Sequence, residues 1–269
     1  MSVVTVMDST ETNSYIPYGK TDVLSLVERM TDMYTSLPEV PSKDELCLRY
    51  RNLAGRLRIL SSGVADKYLH WASSLGYRSL DGHTAYACEF LPDWLRKFVC
   101  AEDLVVVMPS KDSEGKVYGI TVRSVFSKNF RSFTPLPFVP YGFFAFEKPY
   151  NKPWLLVESA FDSDWLRKLY PYTLATGGVS GMNLEMLTLV SQTSPRCVIA
   201  FDNDDAGDAG YSRLQTRMKF SRKPPQVERI HPPYKKDFGD VAQLALDNKD
   251  LYKVYSNVVL DLLRVSSLV

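Results

Sequence analysis

Between Trp154 and Asp240, acidic residues recur just after short apolar runs or just before helix-like ones, and this placement constrains the chain more than any other feature. Leu155-Leu156-Val157 runs into Glu158, with Asp162 shortly after it. Val198-Ile199-Ala200-Phe201 runs into Asp202-Asn203-Asp204, and Lys235-Lys236-Asp237-Phe238-Gly239-Asp240 closes the stretch. Short apolar runs alternating with helical patterns predict an α/β fold, a parallel sheet with helices on its faces. In such sheets polar groups at the carboxyl ends of strands converge on one crevice, where ligands bind. Glu158, Asp202 and Asp204 are expected at those ends. Several acids held together repel one another unless a cation neutralises them, and an all-oxygen set suits Mg²⁺ or Mn²⁺.

Strands are expected over 153–158, 172–175, 196–201 and 227–230, with helices over 162–169, 184–190, 206–218 and from Gly239 to the end. Asp202 and Asp204 alternate along a strand end and can face one side. Asp205 points away and reads as a first-turn acid favouring the helix dipole. Gly207 lets the helix approach the strand closely. Asp162 lies one turn into its helix and can reach the same crevice, whereas Asp164 reads as a plain surface acid. Asp237 and Asp240 share a face if helical, and Asp240 reads equally as a capping acid. Gly177-Gly178 is either an ordinary turn or a backbone loop lying against phosphate.

Upstream, residues 1–19 look loose. Thr21-Asp22 can cap a helix through about Tyr34, and Ser42 with Glu45 forms a capping box for the next. That second helix is expected to carry Arg49, Arg51, Arg56 and Arg58, a solvated face whose stems cover apolar neighbours. A third helix, Ser62 to Leu75, stops at Gly76, and Pro92 starts another. From Asp103 the period changes. Leu104 to Met108 and Val117 to Arg123 read as strands of a hairpin around Asp112-Ser113-Glu114-Gly115. Arg123, Lys128 and Arg131 are candidates for phosphate contacts, for which arginine's planar fork is suited. Soft boundaries fall near residues 100 and 150.

Composition excludes several classes. With 45% apolar and 23% charged residues the chain is of globular type, and a net charge of +1 makes it no electrostatic sponge for nucleic acid. Cys47, Cys88, Cys100 and Cys197 form no C-x-x-C pair, so no structural zinc site is expected, and scattered thiols of this kind suit a reducing cytosol. No apolar run reaches the roughly 20 residues that span a bilayer. Met1 to Tyr18 is polar and lacks a signal-peptide core.

Taken in order, Glu158 with Asp162, the Gly177-Gly178 turn, Asp202-x-Asp204 followed by Ala206-Gly207, and Lys236-Asp237 resemble the Toprim domain over roughly residues 150–245. That metal-binding fold is shared by DnaG-like primases, topoisomerases and some nucleases. Met108-Pro109, Gly115-Lys116-Val117-Tyr118-Gly119-Ile120 and Arg123 resemble the strand–turn–strand that precedes Toprim in the polymerase core of DnaG-like primases. Those primases often space their last acidic pair by two, so Asp240 departs from the pattern.

The resemblance implies a Rossmann-like Toprim sheet flanked by helices, after a smaller α+β lobe with a β-hairpin and amino-terminal helices. The parts it implies are a flexible terminus (1–19), a helical region (20–100), a β-rich subdomain (101–150), the Toprim catalytic domain (151–245) and a carboxyl-terminal helix (246–269). It implies a primase, phage-encoded or otherwise minimal, that makes short RNA primers on single-stranded DNA. Glu158, Asp202 and Asp204 would be catalytic, with Glu158 serving either metal binding or acid/base work. Glu158, Asp162, Asp202, Asp204, Asp237 and Asp240 would hold two or more Mg²⁺ or Mn²⁺ ions. Arg123, Lys128, Arg131, Gly177, Gly178 and Lys236 would contact NTP or template phosphates. A replicative helicase or other replisome protein is the implied partner, in a bacterial or phage-infected cytoplasm and away from membranes. Start-site selection, a zinc module's task in that family, would fall to another chain or to the amino-terminal helices. A Toprim nuclease would use the same acids, and a replisome binding module would keep them idle. A topoisomerase would need a separate tyrosine domain, for which little chain remains.

Overall fold

Leu104-Val105-Val106-Val107-Met108 is apolar at every position, so as a strand it requires cover on both faces. The computed structural model, which describes residues 2–5, 15–18, 20–53, 55, 56, 59, 63–135, 139–144, 152–178, 181, 183–194, 196–220, 224–232, 237, 240, 248, 253, 257 and 261, supplies that cover. The chain divides into two units, 1–137 and 138–269.

In the first unit, β1 (Ser2–Thr5) pairs antiparallel with β2 (Tyr15–Tyr18), where the sequence reads as loose. Helices α1 (Lys20–Ser36), α2 (Lys43–Arg49) and α3 (Gly63–Ser74) follow. Next come β3 (Arg78–Asp81), α4 (Gly82–Ala87) and α5 (Asp93–Glu102), then β4 (Leu104–Lys111), β5 (Val117–Ser124) and β6 (Phe130–Phe133). The last three strands and β3 form an antiparallel sheet in the order β3-β4-β5-β6, so the expected hairpin is the centre of a larger element. Val23, Leu26, Val27, Met30 and Met33 recur at helical spacing and bury one stripe of α1 with Leu95 and Val99 of α5 and with Val105, Val107, Ile120, Val122 and Phe133 of the sheet. Thr31 Oγ1 accepts from Val117 N–H (2.9 Å), tying α1 to the start of β5.

The second helix is shorter than expected. Its capping box forms as predicted, but α2 ends at Arg49. Arg51 lies in the turn beyond it, Arg56 packs over Phe126 (4.5 Å) and pairs with Asp103 (3.6 Å), and Arg58 lies outside the described residues. Arg51 and Arg56 thus lie beyond α2 and not on the face of one long helix.

The second unit is a parallel α/β layer. Strands β7 (Trp154–Val157), β8 (Thr173–Ala175), β9 (Arg196–Ile199) and β10 (Gln226–Arg229) alternate with α6 (Ala160–Arg167), α7 (Leu184–Ser191) and α8 (Asp205–Met218). These four strands pair parallel with one another, in the order β10-β9-β7-β8. β7 and the apolar part of β9 are buried along their length, and Trp154, Leu156, Leu174, Leu187, Ile199, Phe201 and Leu214 join strands and helices in one core. Burial pushes the Cys197 thiol up to about 12, so it packs there as a small neutral hydrophobe. The expected helix after Gly239 falls largely outside the described residues.

Candidate metal-binding active site

From β7 the chain crosses to β8 on one side and later to β9 on the other. The strand order therefore reverses between β7 and β9, and in an open α/β sheet this switch point opens the ligand crevice at the carboxyl ends. Glu158 is the first residue after β7, and Asp202 lies three residues beyond β9. The two meet there: Asp202 N–H donates to Glu158 Oε1 at 3.0 Å.

Asp204 is the N-cap of α8. Its Oδ1 accepts from Gly207 N–H (3.0 Å), so one carboxylate oxygen is engaged by the helix it begins. Asp205, in the first turn of α8, is exposed. Gly207 is buried against the loop, and a Cβ there would lie 2.0 Å from the Asp202 carbonyl oxygen. Only glycine permits this approach.

Asp162 opens the first turn of α6 behind the N-cap Ser159. Its N–H donates to Ser159 Oγ (3.1 Å), and that hydroxyl donates to Asp162 Oδ2 (2.7 Å). Burial and then the Asp237 charge push the Asp162 carboxyl well above the usual range, Asp202 and Asp240 add to the push, and the Ser159 hydrogen bond opposes them. Asp202, Asp237 and Asp240 thus each bear on Asp162, the acid at the start of α6. Asp237 Oδ1 accepts from Asp240 N–H (2.6 Å), which makes Asp237 the capping acid of that pair. Among the described residues no three His, Cys, Asp or Glu side chains close tightly enough to enclose one ion as they stand. The donor chemistry nevertheless fits a hard divalent cation, because every group is a carboxylate and their mutual repulsion is what such an ion relieves.

Gly177 and Gly178 both take positive φ, 75° and 98°. Gly178 N–H donates to the Glu158 carbonyl at 2.8 Å and Thr176 Oγ1 donates to the Gly178 carbonyl at 2.8 Å, so this turn braces the backbone of Glu158. The Gly178 N–H is therefore committed inside the protein and not offered to a phosphate. Lys236 lies outside the described residues.

The basic candidates belong to the first unit. Val122 pairs with Arg131 and Arg123 with Phe130 across β5 and β6, which puts Arg123 and Arg131 on opposite faces of the sheet. Arg123 stacks on Tyr68 (4.7 Å), Arg131 on Phe98 (5.2 Å), and Lys128 is exposed. The three do not form one patch.

One reading needs correction. Asp164 is no surface acid: its side chain is 17% exposed, accepts from Tyr141 OH (2.6 Å) and pairs with Arg167 (2.7 Å). Arg167 Nε in turn donates to the Thr173 carbonyl, so this network holds α6 to β8. The sequence reading also missed Arg229. Its guanidinium pairs with Asp208, Nη2 donates to the Asp202 carbonyl (3.4 Å), and its side chain is only 9% exposed. The available signal was alternation along β10, which places Arg229 on the same face as Val227, a residue packed on the core.

Residues 155–242 match a family model described as Toprim-like. No curated protein matches the chain. Among solved structures, the DnaG catalytic core is similar at 16% identity and a TM-score of 0.50, over 82% of this chain and 76% of that one. The RNA polymerase domain of Mycobacterium tuberculosis primase DnaG is similar at 13% identity and a TM-score of 0.50, over 87% and 82%. The chain thus carries a Toprim-like domain, and its mixed α/β fold is that of DnaG-type primase catalytic cores.

Proposed function

We propose that this protein is the polymerase core of a primase, joining NTPs into short RNA primers on single-stranded DNA. The observation that carries the reading is the meeting of Glu158 and Asp202 at the switch point, beside Asp162, on which the charges of Asp237, Asp202 and Asp240 act. The fold likeness to primase cores, which extends well beyond the Toprim-like segment, supports it.

Glu158, Asp162, Asp202, Asp204, Asp237 and Asp240 are the residues assigned to hold Mg²⁺ or Mn²⁺. Bound there, such ions supply charge neutralisation at the attacking and departing oxygens of the phosphoryl group. The chain's own part is positional. Glu158 orients the Asp202 peptide, Ser159 steadies the Asp162 carboxylate, and Asp204 couples the loop to the amino terminus of α8. Lys128 is assigned to template or triphosphate, while Arg123 and Arg131 serve different faces of their sheet. Among the described residues no helix is long and apolar enough to cross a membrane, and work beside a replicative helicase in the cytoplasm is part of the same reading.

Purified protein incubated with single-stranded DNA, NTPs and Mg²⁺ should yield labelled oligoribonucleotides. Asp202→Ala/Asp204→Ala, folded by circular dichroism, should lose at least about a hundredfold of that rate, the scale of lost charge stabilisation. Template shortening without synthesis would make the protein a Toprim nuclease instead. Absence of both reactions, with no Mn²⁺ uptake, would make it a binding module.

A further inference from the structure

Asp202 is held from two sides through its own peptide. On one side its N–H donates to Glu158 Oε1, and on the other its carbonyl accepts from Arg229 Nη2. The carbonyl is also the atom against which Gly207 closes. Arg229 reaches it from β10, with its guanidinium stacked over the Tyr211 ring (5.5 Å) and paired with Asp208 on α8. Burying a guanidinium this deeply is a poor way to gain stability, because its desolvation offsets most of the ion-pair energy. Asp208, moreover, is 64% exposed, and Arg229 Nε has no hydrogen-bond partner among the described residues. A buried cation with an incomplete set of partners, ending on the peptide of a proposed metal ligand, calls for a role beyond stability.

We propose that Arg229 is a positioning residue: it clamps the Asp202 carbonyl while Glu158 clamps the N–H, and together they set the direction of the Asp202 carboxylate. The inference rests on the metal-binding reading of Asp202. A purely electrostatic role predicts the opposite outcome, since a cation beside an acidic region competes with metal and its removal would tighten metal binding. Lysine cannot replace arginine here. It keeps the charge but is a single point donor and cannot serve Asp208 and the Asp202 carbonyl from two arms of one planar group.

The test uses the full chain as wild type, Arg229→Lys, Arg229→Met and Asp208→Asn, with two readouts. In metal-free protein, amide hydrogen exchange is compared between residues 200–207 and strands β9 and β10. Exchange at 200–207 should quicken severalfold in both Arg229 variants while the strands stay near wild type. Asp208→Asn, which leaves the arginine on the carbonyl, should change the loop little. By calorimetric titration, Mn²⁺ affinity should fall about tenfold in both Arg229 variants, the scale typical of lost outer-shell support. The inference is overturned by wild-type loop exchange in the Arg229 variants, by strands that loosen as much as the loop, or by tighter Mn²⁺ binding. A wild-type protein that takes up no Mn²⁺ would sink the metal-binding reading, and the exchange comparison would then decide Arg229 alone.

Discussion

Burial and three further carboxylates act on Asp162 in one direction, and a single hydrogen bond from Ser159 opposes them. With its pKa raised in the folded state, Asp162 contributes stability that is intact below its ordinary value of 3.8 and is lost as pH rises through the raised one. At neutral pH, without a cation, this carboxyl therefore counts against the fold, because the unfolded chain ionises it freely. Asp162→Asn keeps an oxygen to accept from Ser159 and removes the charge. In EDTA at neutral pH the variant should melt a few degrees above wild type, as expected for about 1 kcal/mol in a chain this size. In excess Mn²⁺ the order should reverse, because wild type gains binding energy that the variant lacks. Equal melting temperatures in EDTA would show that the acids do not repel one another. The acidity of this region was legible residue by residue. The burial of Asp164 was not, since Tyr141, which donates to it, comes from a separate segment and only Arg167, three residues on in α6, is local.

At the scale of elements, the site depends on how closely α8 seats against the β9–α8 loop. Gly207 governs this, because its neighbour is backbone and cannot rotate away. Gly207→Ala should cost at least about 2 kcal/mol in urea denaturation, as overpacking against a rigid group does, or else displace the loop and weaken Mn²⁺ binding. A variant unchanged in both measurements would refute the contact. Glycine at this position and the acid run before it were enough to predict a close helix–strand approach. Short strands were harder to foresee. β3 and β6 are four residues each, and they are strands because β4 and β5 offer them hydrogen-bonding edges. Such edges leave no local periodicity to read.

For the whole molecule, the acids lie in the second unit and Arg123, Lys128 and Arg131 in the first, each unit with its own core. A fragment of residues 138–269 should fold and bind Mn²⁺ with an affinity close to that of the full chain, yet make no primers, because Lys128, proposed to contact template or triphosphate, lies outside it. Calorimetric titration and the primer assay measure the two halves of that expectation, and a fragment that primes unaided would reassign the basic residues. The sequence by itself determined the alternation of strand and helix in the second unit and the position of each acid at a strand end or helix start. Apolar runs must be buried and charged residues must stop at their borders, and both demands are local. Only the tertiary structure decided the strand order that makes β7 and β9 neighbours, the use of the Gly178 N–H to brace Glu158, and the reach of Arg229 to Asp202. These are pairings between distant segments, chosen by which faces and edges pack best together, and no single stretch of chain carries that information.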